Sequence, residues 1–242
     1  MIRRTLAAAA MAALGAGALA GCALLAPPQQ FSDSATVQDE ISTIRIEDPQ
    51  GSVTIRGADG TAEVSVERTV TYRGDRPDGE THEVDGDTLV LGDCGRRCSV
   101  AYTIELPAGV DVRGSTSNGA VELTAVGDVE VQTSNGRIEL EDVAGTVDAE
   151  TSNGRIIGRD LTGNGVRVST SNGGIELELG EPQDVEASTS NGSIELTVPT
   201  AGYQVSTETS NGRTDIEIPS DPDGEFTLDL RTSNGSITVA AG

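Results

Sequence analysis

The chain has very few aromatic residues and no lysine. Its 242 residues include no Trp, two Phe and three Tyr, so a core built around large aromatic side chains is excluded. Any core must be thin and filled with Val, Ile, Leu, Ala and Thr, which suits a repeat protein whose units contact only their neighbours. With a single His, His82, and no Lys, the chain offers few groups from which to build a catalytic centre.

Positive charge is also scarce. All 16 basic residues are Arg, against 39 Asp and Glu, giving a formal net charge of −23. Such a surface repels nucleic acid and anionic lipid headgroups, so no nucleic-acid partner is expected. A source adapted to high salt and a high-GC bacterium that prefers Arg over Lys both remain open as explanations.

One long apolar run is present, at the N-terminus. Arg3 and Arg4 precede the alanine-rich stretch 6–20, which is too short to span a bilayer and is typical of a signal peptide. The following Leu19-Ala20-Gly21-Cys22 resembles the lipobox of prokaryotic lipoproteins. We therefore expect a signal peptide over 1–21, an acylated Cys22 and a flexible tether over 22–41. An ordinary secretory signal that ends near a Cys is the alternative.

Two further cysteines, Cys94 and Cys98, enclose a short loop. In an exported protein this spacing predicts a disulfide. A closed zinc site needs four ligands, and His82 is the only histidine, so no metal site is expected. The three intervening residues also differ from the two of a catalytic dithiol motif. We expect no cofactor.

The tetrapeptide Thr-Ser-Asn-Gly occurs seven times, at intervals of 17 to 23 residues. A short motif that returns at a nearly fixed period indicates a repeat architecture. The segments on both sides of each copy alternate apolar and polar residues, the pattern of strands with one buried face. The copies begin at Thr116, Thr133, Thr151, Thr170, Thr189, Thr209 and Thr232.

Each repeat therefore consists of a strand, a corner, a second strand and a variable turn. We predict an all-β fold, a parallel β-solenoid (β-helix) over 42–242. It has about seven regular rungs of 17–23 residues, degenerate N-terminal rungs and an irregular capping segment over 73–98. Asn-Gly also favours hairpins, so a meander of antiparallel hairpins is the alternative. Repetition of the whole motif favours the solenoid, because equivalent residues then stack about 4.8 Å apart.

In the solenoid the Thr of the motif points inward, the Ser points outward and the Asn turns the corner. Stacked Asn side chains can hydrogen-bond along a ladder, and we expect Gly to supply a positive φ. After the corner, apolar positions form core ladders that include Ile138, Leu140 and Thr214. The corner ladder consists of Asn118, Asn135, Asn153, Asn172, Asn191, Asn211 and Asn234.

An acidic row lies between the core ladders and includes Glu122, Glu139, Glu176 and Glu195. Stacked carboxylates repel, so the row needs salt, a cation or nearby Arg side chains. Calcium is one interpretation, but the nine-residue pattern of calcium-binding rolls is absent. We favour a solvated acidic wall.

The segment 106–112 (Leu-Pro-Ala-Gly-Val-Asp-Val) is followed by serial Thr-Ser-Asn-Gly-x-Ile-Glu-Leu units. This combination resembles the prokaryotic putative-adhesin family of the DUF4097 type, over about residues 42–242. The resemblance implies a β-solenoid exposed at the cell envelope, with a role in adhesion, and brings no catalytic residues.

We therefore expect a non-catalytic lipoprotein on the extracytoplasmic face of the cell membrane, serving as an adhesin or contact module. Its partners would be the membrane, through the lipid anchor, and an unknown surface or envelope ligand. A structural or sensory envelope protein that binds another envelope component is the alternative, and a β-helix polysaccharide-active enzyme is the least favoured. The contact surface is expected on the acidic face, the variable turns or the irregular segment from Arg73 to Cys98.

Overall fold

The computed structural model describes residues 27–242, so the expected signal peptide and the expected acylation site Cys22 lie outside the described residues. Within this range the chain forms 21 strands arranged in two long sheets that enclose one core.

The first sheet has eleven strands and runs from β1 at one edge to β19 at the other. In spatial order its strands are β1 (Gln29–Val37), β4 (Val64–Tyr72), β7 (Cys98–Pro107), β3 (Val53–Ala58), β9 (Val121–Val126), β11 (Ile138–Val143), β13 (Ile156–Leu161), β15 (Ile175–Leu179), β17 (Ile194–Val198), β21 (Ile237–Ala241) and β19 (Thr214–Ile216).

The second sheet has ten strands and faces the first across the core. In spatial order its strands are β18 (Tyr203–Asn211), β20 (Phe226–Asn234), β16 (Val185–Asn191), β14 (Val166–Asn172), β12 (Val147–Asn153), β10 (Val129–Asn135), β8 (Asp111–Asn118), β2 (Thr43–Glu47), β6 (Thr88–Leu91) and β5 (His82–Asp85).

Successive repeats pair in parallel and in register. Thr133 lies opposite Thr151, and Asn135 opposite Asn153, in the pairing of β10 with β12. The same motif positions match in the pairings of β12, β14, β16, β20 and β18. The parallel β-solenoid is confirmed, and the hairpin meander is wrong for the repeat region.

The core is the thin aliphatic layer that the composition requires. Ile138 and Leu140 of β11 are fully buried, and Val129 and Val131 of β10 are nearly so, while the residues between them face outward. A buried aliphatic side chain contributes about 1.5–3 kcal/mol relative to an exposed one. Repetition of this small gain along the stack replaces the large aromatic anchors of an ordinary globular core.

At the C-terminal end the rungs do not stack in chain order. The last rung, β20 with β21, lies between the rung of β16 and β17 and the rung of β18 and β19. Leu230 and Ile237 of the inserted rung are fully buried, whereas Thr207 is half-buried and Thr214 is exposed. The more apolar rung therefore takes the interior place, and the predicted core position of Thr214 is wrong.

The N-terminal end shows a similar exchange. The rung of β2 and β3 lies between the rung of β6 and β7 and the rung of β8 and β9. Beyond it, β1 and β4 extend the first sheet in antiparallel fashion, and β5 does the same for the second. Because β1 pairs with β4 along its whole length, the expected tether is wrong over Gln29–Val37, which is a strand.

Close packing requires glycine at all seven corners, and the expected positive φ is found at three of them, Gly119, Gly173 and Gly235. Gly136 and Gly154 are not among these three, so close packing alone selects glycine at both positions. A Cβ atom on Gly154 would overlap the carbonyl oxygen of Gly136 in the preceding rung, and one on Gly136 would overlap that of Gly119. Any larger residue at these positions would force adjacent rungs apart.

We expect Gly154→Ala to lower the free energy of unfolding by about 2–3 kcal/mol, because the added methyl group meets rigid backbone. Gly174→Ala is the matched control, since its Cβ would have only an ordinary contact, 3.4 Å from the Ser193 carbonyl oxygen. Urea titration of both variants measures the difference. Equal stability of the two variants would show that rung contact does not select glycine.

Candidate functional site

The seven corner asparagines form a continuous hydrogen-bonded ladder at the surface. Asn153 donates from Nδ2 to Oδ1 of Asn135 at 3.1 Å, and Asn172 donates to Asn153 at the same distance. The ladder follows the spatial order of the rungs and not their order in the chain. Asn234 donates to Asn191, and Asn211 donates to Asn234. The ladder is exposed to solvent, so it orients side chains on a surface.

The threonines of the motif form a second ladder inside the corner. Thr151 is buried and donates its hydroxyl to the Gly136 carbonyl oxygen at 3.0 Å, and Thr170 does the same to Gly154 at 3.1 Å. Each threonine thus provides a hydrogen-bond partner for a glycine carbonyl of the neighbouring rung. The Thr and Asn ladders are scaffold that fixes the outward residues beside them.

The first corner of the stack departs from the motif. Residues 48–51 read Asp-Pro-Gln-Gly, and Asp48 accepts hydrogen bonds from the backbone N–H and the hydroxyl of Ser117 at 2.6 and 3.0 Å. Asp48 and Gln50 adopt φ values of +44° and +54°. The Gly51 carbonyl still accepts from Thr116 at 3.3 Å, so the Thr ladder continues across the altered corner.

On the outer face of the first sheet, arginines interleave the predicted acidic row. Arg137 forms ion pairs with Glu122 and Glu139, and Arg159 lies 3.3 Å from Glu139 and 3.9 Å from Glu176. The hydrogen bond and charge of Glu122, followed by the charge of Glu139, raise the pKa of Arg137. These exposed pairs offset the repulsion between stacked carboxylates, and each contributes little to stability.

A groove of about 930 Å³ opens on the outer face of the second sheet, towards the edge formed by β18. Its floor is formed by the first residues of β12, β14, β16, β20 and β18, and Ser220 and Pro222 lie on its wall. The wall belongs to the turn 217–224, which is attached to β18 by the N–H of Asp221 donating to the Tyr203 carbonyl at 2.8 Å. The variable turn thus creates the concavity.

The groove presents a row of charged side chains. Asp148, Arg167, Glu186 and Asp229 occupy equivalent positions on neighbouring strands. Arg167 lies 2.7 Å from Glu186, whereas Asp229 pairs with Arg231 on its own strand. Gln204, Asp184 and several hydroxyl side chains add to the polar lining. The arrangement can bind hydroxyl or cationic groups, and no His or Cys lines it.

A different cluster fastens the capping segment at the N-terminal end. The Arg68 guanidinium is almost fully buried and donates to Asp33 at 2.9 Å, to the Gly79 carbonyl at 3.0 Å and to the Thr81 hydroxyl at 3.1 Å. Tyr102 Oη lies 2.6 Å from the Thr81 carbonyl oxygen. These bonds hold a loop without a regular sheet partner against the end of the core.

Burial and charge shift three pKa values in this cluster. The hydrogen bond from Arg68 lowers the pKa of Asp33 below 3.8, and burial raises the pKa of Tyr102 to about 12. Burial, aided by the charge of Arg68, lowers the pKa of His82, whose Nδ1 is buried without a hydrogen-bond partner. The nearby Glu80 opposes that shift. His82 is therefore held in its neutral form at pH 7.

Cys94 and Cys98 form a disulfide with their Cα atoms 5.9 Å apart. Among residues 27–242, no group of three or more His, Cys, Asp or Glu side chains is placed to hold a metal ion. Over the same residues, no helix has the length and apolar character needed to cross a membrane.

Comparison with known protein families agrees with the all-β solenoid fold. The family model described as Toastrack DUF4097 matches residues 41–241. The chain belongs to this family. The Toastrack family was thus correctly suspected from the serial Thr-Ser-Asn-Gly units. A search of curated proteins finds no match.

The solved structures that match this Toastrack chain have low sequence identity to it. A putative adhesin from Parabacteroides distasonis is 14% identical with a TM-score of 0.47, covering 88% of this chain and 97% of its own. A putative adhesin from Bacteroides fragilis is 12% identical with a TM-score of 0.42, at the same coverages. A putative cell adhesion protein from Clostridium sporogenes is 12% identical with a TM-score of 0.40, covering 88% of this chain and all of its own.

The sequence predicted the positions of the repeated residues but not the sites formed by non-repeated ones. The structure does not bring the disulfide to the groove, because the Cys94–Cys98 loop lies beside β7 and the groove lies beside β18. Arg68 and Tyr102 were missed because each lies in an ordinary alternating strand pattern. The groove was missed because it depends on the position of β18 at the edge of the sheet.

We expect Asn153→Asp to lower the free energy of unfolding by about 1 kcal/mol at pH 7. The carboxylate can accept from Asn172 but cannot donate to Asn135, so the ladder is broken on one side. Ser152→Asp adds the same charge at the adjacent outward position and leaves the ladder intact. Thermal unfolding of both variants separates loss of the ladder from added charge, and equal losses would contradict the ladder's contribution.

We expect stability to fall as the pH drops below 6.5, in part because of His82. Its pKa is lowered in the folded state, so below the ordinary value of 6.5 the unfolded chain binds the proton more readily. His82→Gln should remove this part of the pH dependence while leaving that of the carboxylates. Urea midpoints of both proteins between pH 7.5 and 5 measure it, and parallel curves would refute the contribution of His82.

Proposed function

We propose that this Toastrack protein is a lipid-anchored contact module on the extracytoplasmic face of the cell membrane. Acylation of Cys22 would hold the N-terminal edge of the stack near the bilayer, and the groove on the second sheet would bind a surface ligand. The groove is the observation that carries the proposal, because the variable turn 217–224 adds a wall to one part of a repeating face and makes it concave.

The position of β1 supports anchoring at one end. Gln29, the first residue of β1, follows Cys22 by 29 − 22 = 7 residues. Seven residues span at most about 24 Å. Since β1 is an edge strand of the first sheet, the anchor would restrain that end of the solenoid and leave the other end free to extend.

The length of the stack supports presentation of the groove. The eleven strands of the first sheet are separated by ten intervals, which amount to about 48 Å at the usual strand spacing. The groove lies towards the edge opposite β1, beside β18 and β20. A ligand could therefore be bound well away from the anchored end.

The lining of the groove supports binding without catalysis. Its charged residues, including Asp148 and Glu186, occupy equivalent register positions of the repeat. A catalytic centre instead needs a distinct nucleophile, base and orienting group within reach of one another. A structural or sensory envelope protein remains the alternative, since the same groove could bind a component of the cell's own envelope.

The anchor is tested by labelling cells with a radioactive fatty acid. We expect the wild-type protein to carry label and to sediment with membranes, and Cys22→Ala to lose both properties. Ser34→Ala, in the outer part of β1, is a control that should keep both. Unlabelled wild-type protein would refute the anchor and leave the binding proposal open.

The groove is tested with the double variant Asp148→Arg and Glu186→Arg. We expect this variant to bind the target surface at least tenfold more weakly than the wild-type protein, a loss of about 1.4 kcal/mol in binding free energy. The reason is that two groove carboxylates become cations. Glu122→Arg with Glu195→Arg makes the same charge change on the other sheet and should retain wild-type binding. Binding is measured in parallel to foreign surfaces and to fractions of the cell's own envelope. Groove-dependent binding to foreign surfaces indicates an adhesin, and groove-dependent binding to envelope fractions indicates an envelope component. Equal binding by the two double variants would exclude the groove.

A further inference from the structure

Both sheets of the solenoid end in an open strand at the same end of the molecule. The outermost strands are β18 in the second sheet and β19 in the first. Residues of this rung that face the core are incompletely covered: Val205, Thr207, Thr209 and Ile216 are half-buried, although their equivalents in inner rungs are buried. This end of the core lacks a covering layer among residues 27–242.

Beyond the turn 217–224, the edge strand β18 lacks the usual protection against pairing. Natural edge strands are protected by Pro, by charged side chains or by bulges. The nine residues of β18 include no Pro and a single charged residue, Glu208, in a chain of net charge −23. Within β18 a second copy would therefore meet one negative charge per chain, while Glu217, Asp221 and Asp223 lie in the adjoining turn.

The backbone groups of β18 are only partly used. The Tyr203 carbonyl and the Val205 N–H point away from β20, where Asp221 and the Ser220 hydroxyl bind them. Since these directions alternate along a strand, the N–H and C=O groups of Thr207 and Thr209 also point away from the sheet. The turn 217–224 covers the first residues of the edge and leaves the rest open.

The same holds for β19. The Arg213 carbonyl and the Glu217 N–H bind residues of β21, so the intervening Thr214 and Ile216 direct their backbone groups outward. Thr209 and Thr214 lie on the two sides of one corner, equivalent to Thr133 and Ile138. Both sheets thus present free backbone groups close to the same corner.

We propose that two copies of this chain pair end to end across a two-fold axis near Thr209 and Thr214. Strand β18 would pair antiparallel with its own copy about Thr209, and β19 with its own copy about Thr214, continuing both sheets. A residue on such an axis meets itself and can exchange two backbone hydrogen bonds. The half-buried core residues of the last rung would then become covered.

Charge complementarity favours a second copy over a foreign strand. Arg213 and Asp215 flank Thr214, are exposed, and form no ion pair with another described residue. Antiparallel pairing about Thr214 places Arg213 of each copy opposite Asp215 of the other, which gives two equivalent ion pairs. In β18 the same axis places Glu208 opposite Ser210, so like charges do not meet.

The assembly would stop at two copies. The opposite end of the stack carries the antiparallel strands β1 and β5 and the loop bound by Arg68, so it offers no equivalent parallel rung. A contact between identical ends closes on itself and cannot propagate into a fibre. This inference does not depend on the lipid anchor or on the groove ligand.

Charge reversal across the axis tests the proposal. In the full chain carrying Cys22→Ser, so that acyl chains do not drive association, we expect sedimentation equilibrium to show a monomer–dimer equilibrium. Arg213→Asp alone and Asp215→Arg alone should each weaken dimerisation at least tenfold, because each places two pairs of like charges in contact. The double variant Arg213→Asp with Asp215→Arg should restore wild-type association.

The control reverses charges away from the axis. Arg167→Asp with Glu186→Arg exchanges an exposed ion pair on the second sheet and should leave dimerisation unchanged. Unaltered thermal unfolding of the single variants would establish that folding is intact. A monomer across a hundredfold concentration range, or a dimer that is insensitive to both single reversals, would overturn the proposal.

Discussion

In-register parallel stacking is the constraint on which the other features of this molecule depend. When identical strands stack about 4.8 Å apart, every residue meets its own equivalent above and below. A residue type is tolerated only if it interacts favourably with copies of itself or is interleaved with a complement. Asn can donate to and accept from another Asn, and therefore forms the corner ladder. Glu cannot, and the acidic row accordingly contains interleaved Arg137 and Arg159.

The same constraint explains the motif itself. Glycine follows asparagine because the carbonyl of the preceding rung occupies the space of a Cβ atom at Gly136 and Gly154. The buried threonine bridges to that carbonyl. The motif serine hydroxyls have no such ladder, and Ser117 bonds to Asp48 at the altered first corner. The tetrapeptide thus encodes one side-chain ladder at the surface, one inside the corner and one close backbone contact.

The regular part of the fold could be predicted from the sequence because its information is local and repeated. Period-two alternation around each Thr-Ser-Asn-Gly unit defines the strands, and identity between copies requires stacking in register. The ends could not be predicted in the same way. Periodicity contains no information about whether β20 stacks before or after β18, and both rungs carry the motif. The groove follows from that order, so its position was equally hidden.

Residue polarity explains the order of the last rungs. A terminal rung has one face that no neighbour covers, so the cost of placing it there depends on how apolar its core residues are. Two equivalent positions differ in polarity: Leu230 and Ile237 of the inserted rung would be costly to expose, whereas their counterparts Thr207 and Thr214 tolerate solvent. The more polar rung of β18 and β19 therefore occupies the end of the stack, although it comes first in the chain. The more apolar rung of β20 and β21 lies between it and the rung of β16 and β17. The polar rung is soluble enough for a monomer to fold, yet its backbone groups near the corner remain unpaired. An end that has threonine at two of its core positions and is open in its backbone is suited to reversible pairing.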